Sequence, residues 1–165
     1  MTRVSDTPTI RAATTDDVAR IRAIARRAYG KYVPRIGREP APMVADYDAH
    51  IAIHHVVVIE AGGDVCGYMI AWPEADAYFI DNIGVDPACQ GKGLGRRLIE
   101  HAVAEATHLH LPALRLYTNV MMTENLSMYA RMGFVETHRA IEDGYHRVYM
   151  RRSLANGEQQ VPGGG

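Results

Sequence analysis

The stretch from Ile83 to Arg97, IGVDPACQGKGLGRR, holds the residues best suited to chemistry. An apolar run ends at Val85-Asp86-Pro87, and Gly91, Gly93 and Gly95 then alternate into a helical pattern. Glycines let a backbone approach an anion closely, and a helix start offers unpaired N–H groups and the positive end of a dipole. The spacing therefore predicts a phosphate-binding turn between a strand and a helix. It is not a Walker A loop, since no glycine stands five residues before Gly91 and neither Ser nor Thr follows Lys92. Nor is it GxGxxG, whose third glycine would fall at Arg96.

A second stretch, NLSMYARMGF from Asn125 to Phe134, places a phenol on an amphipathic helix that stops at Gly133. Together the two stretches resemble the GNAT superfamily of N-acetyltransferases. Its acyl-CoA signature, Gln/Arg-x-x-Gly-x-Gly/Ala, is matched by Gln90, Gly93 and Gly95, after Val85-Asp86-Pro87. The resemblance extends from about Ile10 to Leu154.

The resemblance implies a single-domain α/β fold over residues 1–154, with a mixed, mostly antiparallel sheet flanked by helices and splayed where acyl-CoA binds. It implies acetyl-CoA as co-substrate, with no metal. Backbone N–H groups of Gln90, Gly91, Lys92, Gly93, Leu94, Gly95 and Arg96 would hold the CoA pyrophosphate. Ile83, Gly84 and Val85 would pair with the pantetheine arm like an added strand. A neutral amine would then attack the thioester directly in a ternary complex, with a backbone amide near Val85 steadying the oxyanion. Tyr129 would protonate the departing thiolate; a phenol of reference pKa ~10 can donate at neutral pH. Asn125, one turn earlier on the same face, would bond the pantetheine amide. Many relatives carry Asn seven residues before the tyrosine, where this chain has Met122, so Asn119 and Asn125 both stand as substitutes.

The base that deprotonates the amine is expected at Asp81, which shares strand parity with Ile83 and Val85; Glu124 and Asp46 are alternatives. In the family the first two helices and their connecting loop shape the acceptor site, which directs attention to Tyr32, Arg35, Asp46 and Tyr47. Met121, Met122, Met128 and Met132 either fill the core or line a flexible acyl wall. Cys89 adjoins the loop but has no evident His partner, which argues against an acyl-enzyme. The eight histidines contain no HExxH, and His50 and His54 alone make no metal site.

Positioning these groups requires a defined order of elements. Thr9 to Ala13 is expected as a strand. A helix follows, capped by Thr14 or Thr15, with Val18, Ile21, Ala25 and Ala28 as its apolar stripe and Ile24 beside them. Residues 30–42, with three prolines and two glycines, are expected as a structured loop, and a shorter helix from about Met43 to Ala52. Strands are predicted at His55–Ala61, Val65–Trp72 and Ala77–Val85, and a helix from Gly91 to about His108 with Leu94, Leu98, Ala102 and Ala106 inward. A strand at Ala113–Thr118, a helix at Thr123–Met132 and a hairpin around Glu142-Asp143-Gly144 complete the order. Residues 155–165 are expected to be a disordered tail.

Composition narrows the function classes. The chain has 165 residues, 47% hydrophobic and 22% charged, which suits one globular domain. A formal charge of −1 argues against nucleic acid as a partner. The absence of a ~20-residue apolar run argues against a membrane span, and MTRVSDTPTI has no apolar signal core. Cys66 and Cys89 make no disulfide framework and are expected as reduced thiols in a cytoplasmic protein. A small-molecule amine is the expected partner, with a protein N-terminus or lysine as the alternative acceptor and an acyl-CoA sensor without turnover as the alternative class. Many relatives dimerise, so a homodimer is among the expected assemblies. Residues 41–90 carry eight acidic and no basic side chains, whereas residues 1–40 carry nine basic and four acidic. The acidic block covers the strands leading to the loop, and its field is expected to favour a cationic acceptor.

Overall fold

A computed structural model describes residues 7–154. The tail at 155–165 lies outside the described residues. The strands are β1 (Thr9–Ala12), β2 (Val56–Ala61), β3 (Asp64–Pro73), β4 (Tyr78–Val85), β5 (Ala113–Asn119), β6 (Val135–Glu142) and β7 (Tyr145–Ser153). The helices are α1 (Val18–Tyr29), α2 (Val33–Ile36), α3 (Ala41–Val44), α4 (Tyr47–Ala52), α5 (Leu94–His108) and α6 (Thr123–Arg131). The strands form an open mixed sheet in the order β1-β2-β3-β4-β5-β7-β6. The β4–β5 ladder is parallel; β1–β2, β2–β3, β5–β7 and β6–β7 are antiparallel. This is the α/β architecture expected from the sequence.

Three local expectations need correction. Residues 30–42 are not simply loop: Gly30–Tyr32 form a 3-10 turn that leads into α2. Pro34 falls at the start of α2, where its missing N–H costs nothing, and Gly37 ends it at φ +86°. The expected helix from Met43 is two helices, because Ala45 is extended and the Asp46 carboxylate caps α4 by accepting from the Ala49 N–H at 3.1 Å. The helix expected from Gly91 begins at Leu94, since Gly91 and Gly93 sit at φ +86° and +73°.

The chain divides into two compact units, one of residues up to 70 plus 82–99, the other of residues 71–81 plus those from 100 on. In the first, β1, β2 and β3 pair with Ile10 opposite Ile59 and Val58 opposite Tyr68. Gly62 and Gly63, both at positive φ, make the two-residue turn of the β2–β3 hairpin. α1 buries Ile21, Ile24 and Ala25 and contacts α3 and α4.

In the second unit β5 pairs with β4 at Tyr78↔Leu114, Phe79↔Arg115 and Ile80↔Leu116, and with β7 along its whole length. Among the described residues the β4–β5 register ends at Ile80, five residues before β4 does. Asp143 and Gly144, also at positive φ, close the β6–β7 hairpin. A row of rings crosses this part of the sheet: Phe79 on Tyr117 at 5.9 Å, Tyr117 by Tyr149 at 5.6 Å, and His138 stacked on Tyr149 at 4.5 Å. Arg115 and Arg147 lie over Phe79 and Tyr117 at 4.6 and 4.3 Å.

The acidic block resolves into ion pairs. Asp48 meets Arg22, Glu60 meets Arg11, Glu74 meets Arg115, Asp76 meets Arg151, and Asp86 meets Arg20 and Arg27. Each arginine comes from outside residues 41–90. The segregation along the chain is therefore largely undone in space, and most of the expected field is neutralised by structural partners.

Asp86 is the most buried of these acids, at 1% exposure. Burial pushes its carboxyl up, but the Ala88 N–H, Arg20 and Arg27 outweigh that and hold it below the usual carboxylate range. Its stabilisation is thus complete above the unfolded value of ~3.9 and is lost as pH falls through the lower folded value. Asp86→Asn is expected to destabilise the fold by about 1–3 kcal/mol at pH 7. Urea unfolding should show the gap from wild type narrowing below about pH 4; an unchanged gap at pH 3 would contradict this role.

Candidate active site

The candidate loop starts from a rigid root. After Val85 the Asp86 N–H donates to the Cys66 carbonyl at 2.8 Å, while the Asp86 carboxylate caps a 3-10 turn over Pro87–Cys89 through the Ala88 N–H at 3.0 Å. Asp-Pro at a helix start is a capping pattern, a local signal that could have revealed this role of Asp86. Gln90, Gly91, Lys92, Gly93 and Arg96 are exposed. A Cβ at Gly91 or Gly93 would meet nothing within 4 Å, so backbone conformation rather than crowding demands glycine there. At Gly95 the φ is ordinary and the nearest atom to an added Cβ, Val85 Cγ2, is 3.9 Å away. The alanine that the signature allows at this position therefore fits. Leu94 is buried at 2%, so it offers a ligand only its backbone while its side chain anchors α5.

Upstream, β4 alternates sharply: Ile80, Asn82 and Gly84 are buried, whereas Asp81, Ile83 and Val85 are half-buried. The inward residues are fixed by a polar cluster that sequence reasoning missed. Asn82 Nδ2 donates to the Tyr47 hydroxyl at 2.9 Å, and the Tyr68 hydroxyl donates to Asn82 Oδ1 at 2.9 Å. The Tyr47 hydroxyl donates to the Pro42 carbonyl at 2.6 Å. Each hydroxyl proton thus has its own acceptor in a buried setting where an unmet group is costly. The Tyr29 hydroxyl donates to the Ile83 carbonyl.

Gly84 was expected at the cofactor, and the structure gives it a packing reason as well. A Cβ there would lie 2.5 Å from Tyr68 Cε1, on a ring with no room to move. Gly67 complements it, since its own Cβ would come within 2.9 Å of the Gly84 carbonyl oxygen. The close approach of β3 and β4 is built on this glycine pair.

The acceptor-side candidates separate into two groups. Tyr32 is buried with Lys31 and Arg35 each 5.1 Å from its ring, so Tyr32 and Arg35 do belong together. Asp46 caps α4 and Tyr47 is a member of the Asn82 cluster. In the second unit Asp81 accepts from the Tyr117 hydroxyl at 3.2 Å; burial and the Asp81 charge raise the Tyr117 phenol. Tyr129 is buried and packs edge-on to Phe134 at 5.7 Å. Asn119 Oδ1 accepts from the Met121 N–H at 2.9 Å. Asn125 Nδ2 and Thr118 Oγ1 both approach the buried Met122 sulfur, at 3.6 and 3.5 Å. Met122 therefore packs in the core, whereas Met121 is exposed. No group of three or more His, Cys, Asp or Glu side chains among the described residues is placed to hold a metal. No described helix is long and apolar enough to cross a membrane.

The family model of the acetyltransferase (GNAT) domain matches residues 52–136, which contain the loop, β4 and Tyr129. The chain belongs to the GNAT acetyltransferase family. Over 91 residues it is 30% identical to a mycothiol acetyltransferase of Jonesia denitrificans, covering 54% of this chain and 29% of that protein. Over 70 residues it is 33% identical to the peptidyl-lysine N-acetyltransferase YjaB of Salmonella typhimurium, covering 42% and 45%. The matched region thus spans less than half the length of either relative. Among solved structures, the PaiA N-acetyltransferase of Thermoplasma acidophilum in complex with coenzyme A superposes with a TM-score of 0.72 at 16% identity, over 90% of this chain and 99% of that one. At that identity the likeness concerns the fold.

The packing at Gly84 yields a direct test. Gly84→Ala is expected to cost about 1–3 kcal/mol by overpacking against Tyr68. The pair Gly84→Ala with Tyr68→Leu should recover part of that loss in chemical denaturation, because the double variant removes the opposing ring. A double variant as unstable as the sum of the two singles would contradict the contact.

Proposed function

We propose that this chain transfers an acetyl group from acetyl-CoA to a primary amine by direct attack in a ternary complex. The observation that carries the reading is the exposed glycine loop, with Gly91 and Gly93 at positive φ, rooted by the buried Asp86 and continuing into a 15-residue helix. Such a loop can aim N–H groups at a polyanion while the helix dipole adds positive potential. Backbone groups from Gln90 to Arg96 would hold the pyrophosphate, with Lys92 and Arg96 adding charge. Ile83 and Val85, on the half-buried face of β4, would lie along the pantetheine arm. The complex of the Thermoplasma relative with coenzyme A supports the same co-substrate here.

Tyr129 is the proposed proton donor to the leaving thiolate, from its place in the second family signature. Asn125, which is half-buried, is the proposed pantetheine contact rather than Asn119, which is buried with its Oδ1 accepting from the Met121 N–H. Asp81 is the proposed base, taking the ammonium proton directly or through water. Tyr32 and Arg35 are the proposed acceptor-side pair. The acceptor is an amine; with most of the acidic block matched by arginines, support for a cationic one rests on local acids such as Asp46 and Asp64 rather than on the whole block. The Salmonella relative favours a lysine side chain as the second acceptor reading.

The reading is tested by following CoA-thiol release across polyamines, lysine-bearing peptides and acidic amino acids. Release is expected with at least one amine class, with intersecting double-reciprocal plots. With that acceptor, Tyr129→Phe is expected to lower kcat at least about tenfold while the KM for acetyl-CoA changes little, in keeping with the loss of a proton donor. Acetyl-CoA binding with no release on any amine would replace this reading with that of a sensor, and an unchanged kcat in Tyr129→Phe would remove the acid role.

A further inference from the structure

Cys66 on β3 and Cys89 at the end of the turn before Gln90 play no part in the proposed transfer. They are 23 residues apart in the chain, yet their sulfurs lie 2.7 Å apart. Both are free thiols and both are buried, at 5% and 9% exposure. The hydrogen bond from the Asp86 N–H to the Cys66 carbonyl, 2.8 Å long, ties the two segments together at the backbone. The sulfurs are thus held within about 0.7 Å of the ~2.05 Å covalent S–S length by contacts that do not depend on the bond. Pro87, Ala88 and Gln90 around Cys89 are exposed, and Cys89 itself is the more exposed of the two residues.

We propose that Cys66 and Cys89 form a reversible dithiol–disulfide site, oxidised by hydrogen peroxide, that staples β3 to the root of the glycine loop. In the first step the Cys89 thiolate attacks one peroxide oxygen. The O–O bond breaks, Cys89 becomes a sulfenic acid, and the leaving oxygen departs as water after taking a proton. In the second step the Cys66 sulfur attacks the Cys89 sulfur. The S–O bond breaks, and the hydroxyl leaves as water with the Cys66 proton. Two thiols are oxidised by two electrons in all, and one peroxide is reduced to two waters. Burial pushes the Cys66 thiol up to about 11, with the neighbouring Cys89 adding to the rise and Arg20 and Lys92 opposing it. This agrees with Cys66 as the partner that resolves rather than initiates. A small-molecule dithiol reverses the bond by exchange.

The test uses the full chain and does not depend on the transferase reading. After treatment with a small excess of hydrogen peroxide, intact mass should fall by two hydrogens and both thiols should become unreactive to alkylation under denaturing conditions. The melting temperature is expected to rise by roughly 5–10 °C, and dithiothreitol should reverse all three changes. Cys66→Ala and Cys89→Ala, which place no polar atom in the buried site, should each abolish the mass loss and the stabilisation. Stepwise gain of oxygen without loss of hydrogen would overturn the proposal, as would thiols that remain fully alkylatable, or the same thermal shift in either variant.

Discussion

The geometry of the candidate site depends on one steric constraint, the close approach of β3 to β4 at Gly67 and Gly84. Tyr68 occupies the space that a side chain at position 84 would need, with its ring under 3 Å from where that Cβ would stand. Its hydroxyl in turn satisfies the buried amide of Asn82, which Tyr47 anchors to α4 and the Pro42 carbonyl. With the inward face of β4 thus filled and hydrogen-bonded, Ile83 and Val85 are left half-buried on the other face. The strand then delivers the chain to Asp86, whose buried carboxylate roots the loop. Packing, polar satisfaction and loop placement follow one after another from two glycines and a tyrosine.

Electrostatics has a different role from the one its distribution along the sequence suggests. A block of fifty residues without a basic side chain invites a reading as a field directed at substrate. Folding instead sets arginines from both flanks against at least five of its eight acids. Most of these pairs are half-exposed and contribute little each, whereas the buried Asp86 matters more. The block's other acids are few and local, and Asp81, on the half-buried face of β4, accepts from the Tyr117 hydroxyl.

What was legible in the sequence was local. The glycine alternation, the hairpin turns at Gly62-Gly63 and Asp143-Gly144, and the apolar stripe of α5 all express backbone preference or helical period within a few residues. The order of strands and helices follows from them. The break between α3 and α4 was not legible as a break, because Asp46 looks like any helix-compatible acid until its side chain is seen to cap. Nor were the roles of Tyr47, whose partners Tyr68 and Asn82 lie 21 and 35 positions away in the chain, and of Gly84, whose partner Tyr68 lies 16 away. Nothing near Cys66 in the sequence announces Cys89. Burial and pairing across strands, which decide these residues, have no local signature.

The central claim is that the loop from Gln90 to Arg96 holds the pyrophosphate of acetyl-CoA through backbone groups fixed by Gly91 and Gly93. The most direct test is calorimetric titration of acetyl-CoA into the wild-type chain and into Gly93→Ala. Alanine meets no atom in the folded chain but resists the φ of +73°. The account predicts stoichiometric binding to the wild type, weakened at least about tenfold (~1.4 kcal/mol) in the variant while its circular dichroism is unchanged. Equal affinity in the two proteins, or no binding by the wild type, would contradict it.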